Sequence, residues 1–319
     1  MSRQRKFFSS WQNWFALGLI TIFVLMAIAA PLLSPADPNN NSSAFKYYPV
    51  SRLSLPKAPN PNAPLGTLHN GADVFHTLVW GARDALTFGI SVTAVIFLIG
   101  ALVGTLSAYY QGFFGRVLLW FTDTLLAFPI IVVTVLFYNG YNSFLLKALG
   151  AENLEMARIM TFNFQSLPQL PKFLLGIDPI SLSFALFLWM PYARVMNSSV
   201  RKVLQNEYIL AAKSSGAKNW RIIFRHIIPN ALHPLISMAA KDIGALAVLQ
   251  SALTYLGVGK GSPWAAMLLM GRDYLFAYKG VFTFWWIFVP ISLAILLFGL
   301  AWSFLGDGLN AALDPKDNS

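Results

Sequence analysis

The sequence predicts an all-α, polytopic membrane protein with six transmembrane helices. Of its 319 residues, 56% are hydrophobic and only 11% are charged, and the mean hydropathy is +0.56. A soluble domain carries about 25% charged residues. Several apolar stretches reach the roughly 20 residues that a helix needs to cross a bilayer. A backbone inside hydrocarbon must satisfy its own hydrogen bonds, so we expect each stretch to be helical.

Length and flanking charges define six spans. We place them at residues 15–33, 86–109, 117–138, 180–196, 230–256 and 281–305. The first could instead be a signal peptide, but its apolar run of about 19 residues exceeds the 7–15 residues of a signal core. We therefore expect a retained first helix, followed by a core domain at residues 86–305.

Basic residues near the span ends set the expected orientation, because Lys and Arg concentrate in cytoplasmic loops. An even number of spans puts both tails, 1–14 and 306–319, on one side of the membrane. The loop 197–229 falls on that side too, and the segments 34–85 and 139–179 fall outside. The basic residues concerned are Arg3, Arg5, Lys6, Arg201, Lys202, Lys213, Lys218, Arg221 and Arg225. Both termini should be cytoplasmic, and the net charge of +10 then needs no nucleic acid partner.

The two long outer segments differ in composition. Residues 34–64 are rich in Pro and Asn ("SPADPNNNSS", "PKAPNPNAP"), which favours extended, poorly packed chain. Within the second segment, "ENLEMARIMTF" has the pattern of a short amphipathic helix.

The stretch "NEYILAAKSSGAKNWRIIFRHIIPNALHPL", residues 206–235, predicts a short helix, a tight turn and an interfacial helix. Gly216 suits the left-handed position that ends a helix. After it, Trp220, Ile223, Phe224 and Ile227 are spaced for one apolar face. In the same stretch, Pro229 suits the first turn of the next span. A plainer alternative is a basic loop that touches lipid headgroups.

Charged side chains lie inside the spans, and one amide lies near the middle of a span. Asp123, Lys241 and Asp242 are costly in lipid, so they should face protein or water. They could line a solute path, or they could be structural, with Lys241 and Asp242 pairing with a neighbouring subunit. Gln250, near the middle of its span, is the candidate for lining a path.

Several kinds of chemistry are excluded. The chain has no cysteine, which removes disulfides, cysteine zinc sites and thiol catalysis. Its four histidines lack metal-ligand spacing, and no G-x-x-x-x-G-K-[ST] loop is present, so the chain should not hydrolyse ATP alone. An ion-driven transporter remains an alternative, although it would predict symmetry between the halves. A membrane-embedded enzyme would need a catalytic constellation that we do not find.

The stretch 206–235 resembles the coupling, or EAA, loop of ABC importer permeases in the dipeptide, oligopeptide and nickel branch. There the pattern reads E-Y-x-x-A-A-x-x-x-G, followed by H-I-[LI]-P-N. The matching residues are Glu207, Tyr208, Ala211, Ala212, Gly216, His226, Ile227, Pro229 and Asn230. Leu210 replaces the second Glu of the general loop.

Other motifs follow in the family's order over nearly the whole chain. They are "PLGTLHNGADVF", "GARDAL", "YYQGFFGRV", "DTLLAFP", "LTYLGVG", "PWAAML" and "LGDGLNAALDP". Gln250 stands where many relatives carry an acid. The set is similar to the second, C-type permease subunit.

The resemblance implies a non-catalytic subunit of the cell inner membrane that imports di- or oligopeptides, with nickel and glycosides as alternatives. It implies a heterodimer with a second permease, two ATPase subunits that bind ATP and Mg, and an extracytoplasmic binding protein. This chain itself would hold no cofactor and no metal. The residues implied in coupling are Glu207, Tyr208, Ala211, Ala212, Gly216, Arg221 and Pro229.

Overall fold

A computed structural model describes residues 7–8, 10–36, 44–50, 55–149, 178–259, 261–276 and 282–313. The predicted helix "ENLEMARIMTF" lies outside these residues. Within them the chain is helical, with isolated β-bridges and no strands. The helices are α1 (Trp11–Ile28), α2 (Ala30–Leu33), α3 (Val74–Tyr109), α4 (Phe113–Leu126), α5 (Ile130–Leu149), α6 (Pro179–Phe187), α7 (Trp189–Leu204), α8 (Glu207–Ser214), α9 (Asn219–Ile222), a π-helix (Ile223–Ile227), α10 (Ile228–Ala231), α11 (His233–Tyr255), α12 (Pro263–Gly271), α13 (Asp273–Phe276) and α14 (Trp285–Leu313).

Six helical segments of the described chain are long and apolar enough to cross a membrane, which confirms the predicted number. They are α1, α3, α5, the pair α6–α7, α11 and α14. Asn13 near the start of α1 packs against Gly308 near the end of α14, and Gly306 packs against Lys241 near the start of α11. The first helix therefore begins, and the last one ends, at the end of the bundle where α8–α10 lie.

Several helices extend beyond the apolar spans. Hydropathy marks only the part of a helix that suits lipid, whereas helical hydrogen bonding continues into water. The helix α3 begins at Val74 rather than at residue 86, because the Asp73 carboxylate caps it by accepting from the N–H groups of Phe75 (2.8 Å) and His76 (3.3 Å). Beyond residue 196, α7 continues to Leu204, with Val200 and Val203 buried.

The predicted span 117–138 is divided between two helices. The chain turns at residues 127–129, between α4 and α5. Pro129 has no N–H to donate to the preceding turn, which explains the break. The expectation for Pro229 also needs correction: it lies in the first turn of the short α10, and Pro234 takes that place in the long α11.

The described part of segment 34–85 is better packed than the composition of residues 34–64 predicted. Antiparallel bridges join Tyr47 to Ala72 and Lys57 to Thr67, and Ala63 is buried. The Tyr48 hydroxyl donates to the Asn62 carbonyl at 2.6 Å. The pKa of Tyr48 is raised by burial and by the negative charge of Asp73.

Two apolar clusters form the core. One joins α1, α3, α11, α12 and α14 around Phe23, Trp264 and Phe298, with the Phe23 and Phe298 rings 5.2 Å apart. The other joins α3, α6, α7 and α11 to the segment α8–α10. In the second cluster, Gly100 and Gly104 let α3 lie directly against α7, since a Cβ at either would overlap Tyr192 or Met196.

Candidate functional site

The candidate site is the segment from Glu207 to Ala231, which we call the knuckle. Its first helix, α8, ends in a turn in which the Gly216 N–H donates to the Lys213 carbonyl at 3.0 Å and the Ala217 N–H donates to the Ala212 carbonyl at 3.1 Å. Gly216 has φ +76°, which confirms the predicted left-handed end. No other atom lies within 4 Å of a Cβ built there, so the backbone angle alone requires glycine.

One side chain anchors α8 to the protein. Ile209 is fully buried in the second apolar cluster, and Ala212 is half-buried beside it. The other six residues of α8 are exposed, among them Tyr208 at 44% and Leu210 at 56%. This eight-residue helix therefore leaves most of its surface exposed.

The second half of the knuckle is fastened much more firmly. Ile222, Ile223 and Ile227 are buried, while Trp220 and Phe224 are 60% and 62% exposed. Of the four residues predicted to share an apolar face, Ile223 and Ile227 are therefore buried against the protein, and the two aromatic side chains are not. Ile223 to Ile227 form a π-helix, whose turns are wider than those of an α-helix.

Polar contacts tie the knuckle to the end of α3. The Tyr109 hydroxyl donates to Asn219 Oδ1 at 2.8 Å, and the Lys213 ammonium lies 5.7 Å from the centre of the Tyr109 ring. The Tyr208 and His226 rings are 6.5 Å apart, centre to centre. The turn around Gly216 is therefore held against the membrane helices.

The knuckle is basic. It contains four Lys or Arg side chains and one acid, Glu207. Glu207 lies in the first turn of α8 and Lys213 in its last turn, where each complements the helix dipole. Arg221 is exposed, with its guanidinium 6.0 Å from the centre of the Trp220 ring, and Pro229 is exposed in the first turn of α10. Such a surface favours a partner that offers acidic groups.

The charges inside the spans find partners within this chain. Asp123 pairs with Arg194 at 3.5 Å, and Asp242 accepts a hydrogen bond from the Tyr192 hydroxyl at 2.7 Å. Lys241 pairs with Asp307 at 2.5 Å. The suggested pairing of Lys241 and Asp242 with a neighbouring subunit stays a prediction. Together the three pairs within this chain connect α4 with α7, α7 with α11, and α11 with α14.

Sequence reasoning missed all three of these partners, Arg194, Tyr192 and Asp307. Arg194 lies inside the predicted span 180–196, where a count of charges finds it, whereas no sequence signal links Asp307 to Lys241. Gln250 is only 3% exposed and packs beside Gly261, so in this conformation it faces the interior of the chain. Within the described residues, no three His, Asp or Glu side chains are grouped to hold a metal ion.

Comparison with known proteins places the chain in a family. Residues 88–317 match the model described as "binding-protein-dependent transport system inner membrane component", and residues 4–52 match "N-terminal TM domain of oligopeptide transport permease C". The dipeptide transport system permease protein DppC of Alkalihalophilus pseudofirmus is 31% identical, over 95% of this chain and 85% of its own length.

Two further relatives have similar coverage. The probable D,D-dipeptide transport system permease protein DdpC of Escherichia coli is 29% identical over 93% of this chain and 85% of its own. The oligopeptide transport system permease protein OppC of Bacillus subtilis is 28% identical over 94% and 84%. On these matches and its six membrane helices, the chain belongs to the family of inner-membrane components of binding-protein-dependent transport systems.

Proposed function

We propose that this chain is one of two homologous permease subunits of an ATP-driven importer of di- or oligopeptides. It forms half of the pathway, binds no cofactor, and receives its driving force from two ATPase subunits that bind ATP and Mg. A binding protein delivers the peptide from the extracytoplasmic side. The names of the relatives support the peptide class, since they include dipeptide and oligopeptide permeases.

The observation that carries the proposal is the unequal anchoring of the knuckle. The exposed side of α8 is available to a partner. The buried side of the knuckle, with Ile209, Ile222 and Ile227, packs in the same cluster as α7 and α11. A helix with one free face can lie in a groove of another protein. A displacement of α8 would then pass directly into two membrane helices.

The proposed orientation puts the knuckle in the cytoplasm, where the ATPases lie. Its basic residues agree with this placement, as does the position of the ends of α1 and α14 beside it. ATP drives the cycle only by binding the two states of the assembly with different affinity. The small side chains of Ala211 and Ala212 set how closely α8 approaches the ATPase, and Glu207, Tyr208 and Arg221 fix its position along the groove.

Replacing Gly216 by Pro tests the coupling role. Pro fixes φ near about −65°, so it cannot take the φ of +76° found here, and it removes the N–H that bonds to Lys213. We expect the permease pair to reach the membrane but to lose ATPase co-purification and ATP-driven peptide uptake. The binding of the labelled ATPase to membranes measures the first effect, and uptake into liposomes measures the second.

Gly257→Pro is the matched control. Gly257 has φ +84°, donates to the Thr254 carbonyl at 3.0 Å and likewise has no neighbour around a built Cβ, but it lies at the opposite end of α11. The Gly257→Pro variant should still bind the ATPase. If Gly216→Pro also binds the ATPase and transports peptide at the normal rate, the coupling role is wrong. Uptake by the permease pair alone, under a proton or sodium gradient, would instead support an ion-driven transporter.

A further inference from the structure

We propose that Tyr109 is a positioning residue that passes the movement of the knuckle to α4. It acts through the last turn of α3, because the knuckle and α4 both contact α3 there. The inference rests on the proposed function, in which ATPase subunits displace α8. It adds α4 to the helices α7 and α11 that this displacement moves.

Tyr109 contacts the knuckle on both sides of the turn at Gly216. Its hydroxyl donates at 2.8 Å to Oδ1 of Asn219, which is the first residue of α9 and follows the turn. The Lys213 ammonium, in the last turn of α8 before Gly216, lies 5.7 Å from the centre of the Tyr109 ring. The Tyr109 side chain is half-buried against the second apolar cluster. One side chain therefore connects both arms of the turn to α3.

The turn at Gly216 does not need Tyr109 for its own shape. The N–H groups of Gly216 and Ala217 donate to the carbonyls of Lys213 and Ala212 and close the turn from within. The chain that follows is fixed by Ile222, which is buried in the second cluster. The Tyr109–Asn219 bond is thus available to link the knuckle with α3 rather than to form the turn.

The helix α4 lies on the same turn of α3. A Cβ built at Gly115, in the first turn of α4, would lie 2.5 Å from the Ser107 carbonyl oxygen and 2.7 Å from that of Tyr110. Ser107 and Tyr110 stand on either side of Tyr109 in the chain. The backbone of α4 therefore touches the backbone of α3 where Tyr109 joins it to the knuckle, and a displacement passes between them without an intervening side chain.

Other attachments of α4 are few. Among the described residues, neither apolar cluster includes a residue of α4, and within this helix only Gly115 and Thr122 are buried. The ion pair of Asp123 with Arg194 joins α4 to α7 at 3.5 Å. Because α4 is not fixed by large buried side chains, its position depends strongly on the contact with the last turn of α3.

The chain leaves the helical conformation on both sides of α4. Gly112, which precedes α4, has φ +116°, and no other atom lies within 4 Å of a Cβ built there. After α4 the chain turns again at residues 127–129. The 14 residues of α4 thus form a short helix between two turns, and a displacement at its first turn is expected to pivot it relative to α3.

Tyr109→Phe tests the role of the hydroxyl, because it removes the hydrogen bond and keeps the ring beside Lys213. In the complete importer in liposomes we expect ATPase binding to stay unchanged. The number of peptides moved per ATP should fall about 2–12-fold, the factor by which the loss of one hydrogen bond shifts an equilibrium. Asn219→Ala removes the acceptor and should have the same effect, and the double variant should lose no more. Tyr110→Phe, at an exposed tyrosine beside Tyr109, is the control and should keep the ratio.

A distance measurement tests whether α4 receives the movement. The chain has no natural cysteine, so Leu102→Cys on α3 and Trp120→Cys on α4, both at exposed positions, can carry two spin labels. The other subunits are freed of reactive cysteines, and pulsed EPR measures the distance between the labels with and without ATP. We expect ATP to change this distance in the otherwise unchanged chain and in Tyr110→Phe, and the change to be lost in Tyr109→Phe.

A distance between the labels that does not respond to ATP, or that responds equally in Tyr109→Phe and Tyr110→Phe, would overturn the inference. Unchanged peptides per ATP in Tyr109→Phe would overturn it too, whether or not the ATPase still binds, because the bond would then only support the turn. Failure of the proposed function looks different: the distance would respond to ATP through Tyr109, yet the unchanged chain would import no peptide.

Discussion

At the scale of single residues, the packing of α8 against the rest of the protein depends on Ile209. It is fully buried, whereas Leu210, the next residue and of equal size, is 56% exposed. Sequence pattern does not distinguish the two, because a helix of eight residues is too short to reveal which side faces the body. The packing of the second cluster determines that Ile209, and not Leu210, is buried.

Ile209→Ala should detach α8 from the body. Truncating a buried Ile costs about 2–5 kcal/mol, and α8 has no other fully buried side chain. We expect faster amide hydrogen exchange in α8 and ATP hydrolysis that is no longer stimulated by peptide-loaded binding protein. Leu210→Ala, which changes stability by less than about 0.5 kcal/mol, should leave exchange within α8 unchanged. Equal protection in the two variants would contradict the assigned anchor.

A residue that needs an unusual backbone conformation could be predicted from the sequence. The contacts of a residue whose partner is distant in the sequence could not. The left-handed end at Gly216 follows from local sterics, so the sequence alone identifies it. The partner of Lys241 is Asp307, 66 positions further along the chain, and only the packing of α11 on α14 brings them together. Gln250 illustrates the same limit, since its polarity is visible in the sequence but its burial beside Gly261 is not.

At the scale of elements, the close approach of α3 and α7 organises the half of the bundle next to the knuckle. Gly100 and Gly104 are the G-x-x-x-G pair of the second span, and in the structure both lie against α7. The motif therefore marks a contact inside this chain. Without a hydrophobic driving force between helices in lipid, such backbone proximity contributes much of the packing.

Gly104→Ala should destabilise this contact. The new Cβ would overlap the Ala193 carbonyl and Cβ of Met196, neither of which can move without shifting α7. We expect a loss of about 1–3 kcal/mol, which is typical of overpacking, and a lower Tm of the detergent-solubilised chain. Gly140→Ala, at a helical glycine with no atom within 4 Å of the built Cβ, should keep or slightly raise Tm. Equal Tm values for the two variants would argue against a tight α3–α7 contact.

Element boundaries were predicted only where hydropathy and backbone chemistry coincide. The apolar spans were recognised, but α3 begins earlier because of the Asp73 cap, and the predicted third span breaks before Pro129. The π-helix Ile223–Ile227 has no sequence signature of its own and was not predicted.

At the scale of the whole molecule, the knuckle shares one packed unit with the membrane helices. The second cluster contains Ile209 and Ile227 of the knuckle together with Tyr192 of α7 and Leu235 of α11. Packed interiors transmit displacement because they are dense and resist deformation. A rigid movement of α8 is therefore expected to move α7 and α11, and with them the polar pairs Tyr192–Asp242 and Lys241–Asp307.

The fold class and the number of spans follow from composition and periodicity, because lipid imposes helices of known length. The arrangement of the helices does not follow from composition and periodicity, because surfaces that face lipid, a partner or the chain itself are all apolar. The exposed apolar side chains of α4, such as Phe113 at 80% and Trp120 at 69%, are indistinguishable by type from buried Phe184 or Trp264.

The most direct test of the central claim is a cross-link from α8. Ala211→Cys puts the only thiol of this chain on the exposed side of α8, and a photoreactive group attached to it can be activated in the complete importer. We expect a cross-link to an ATPase subunit that forms only when the reagent reaches the cytoplasmic face. We expect none from Ala311→Cys, an exposed position near the end of α14. Labelling of Ala211→Cys from the extracytoplasmic face, or full ATP-driven uptake with no ATPase cross-link, would contradict the central claim.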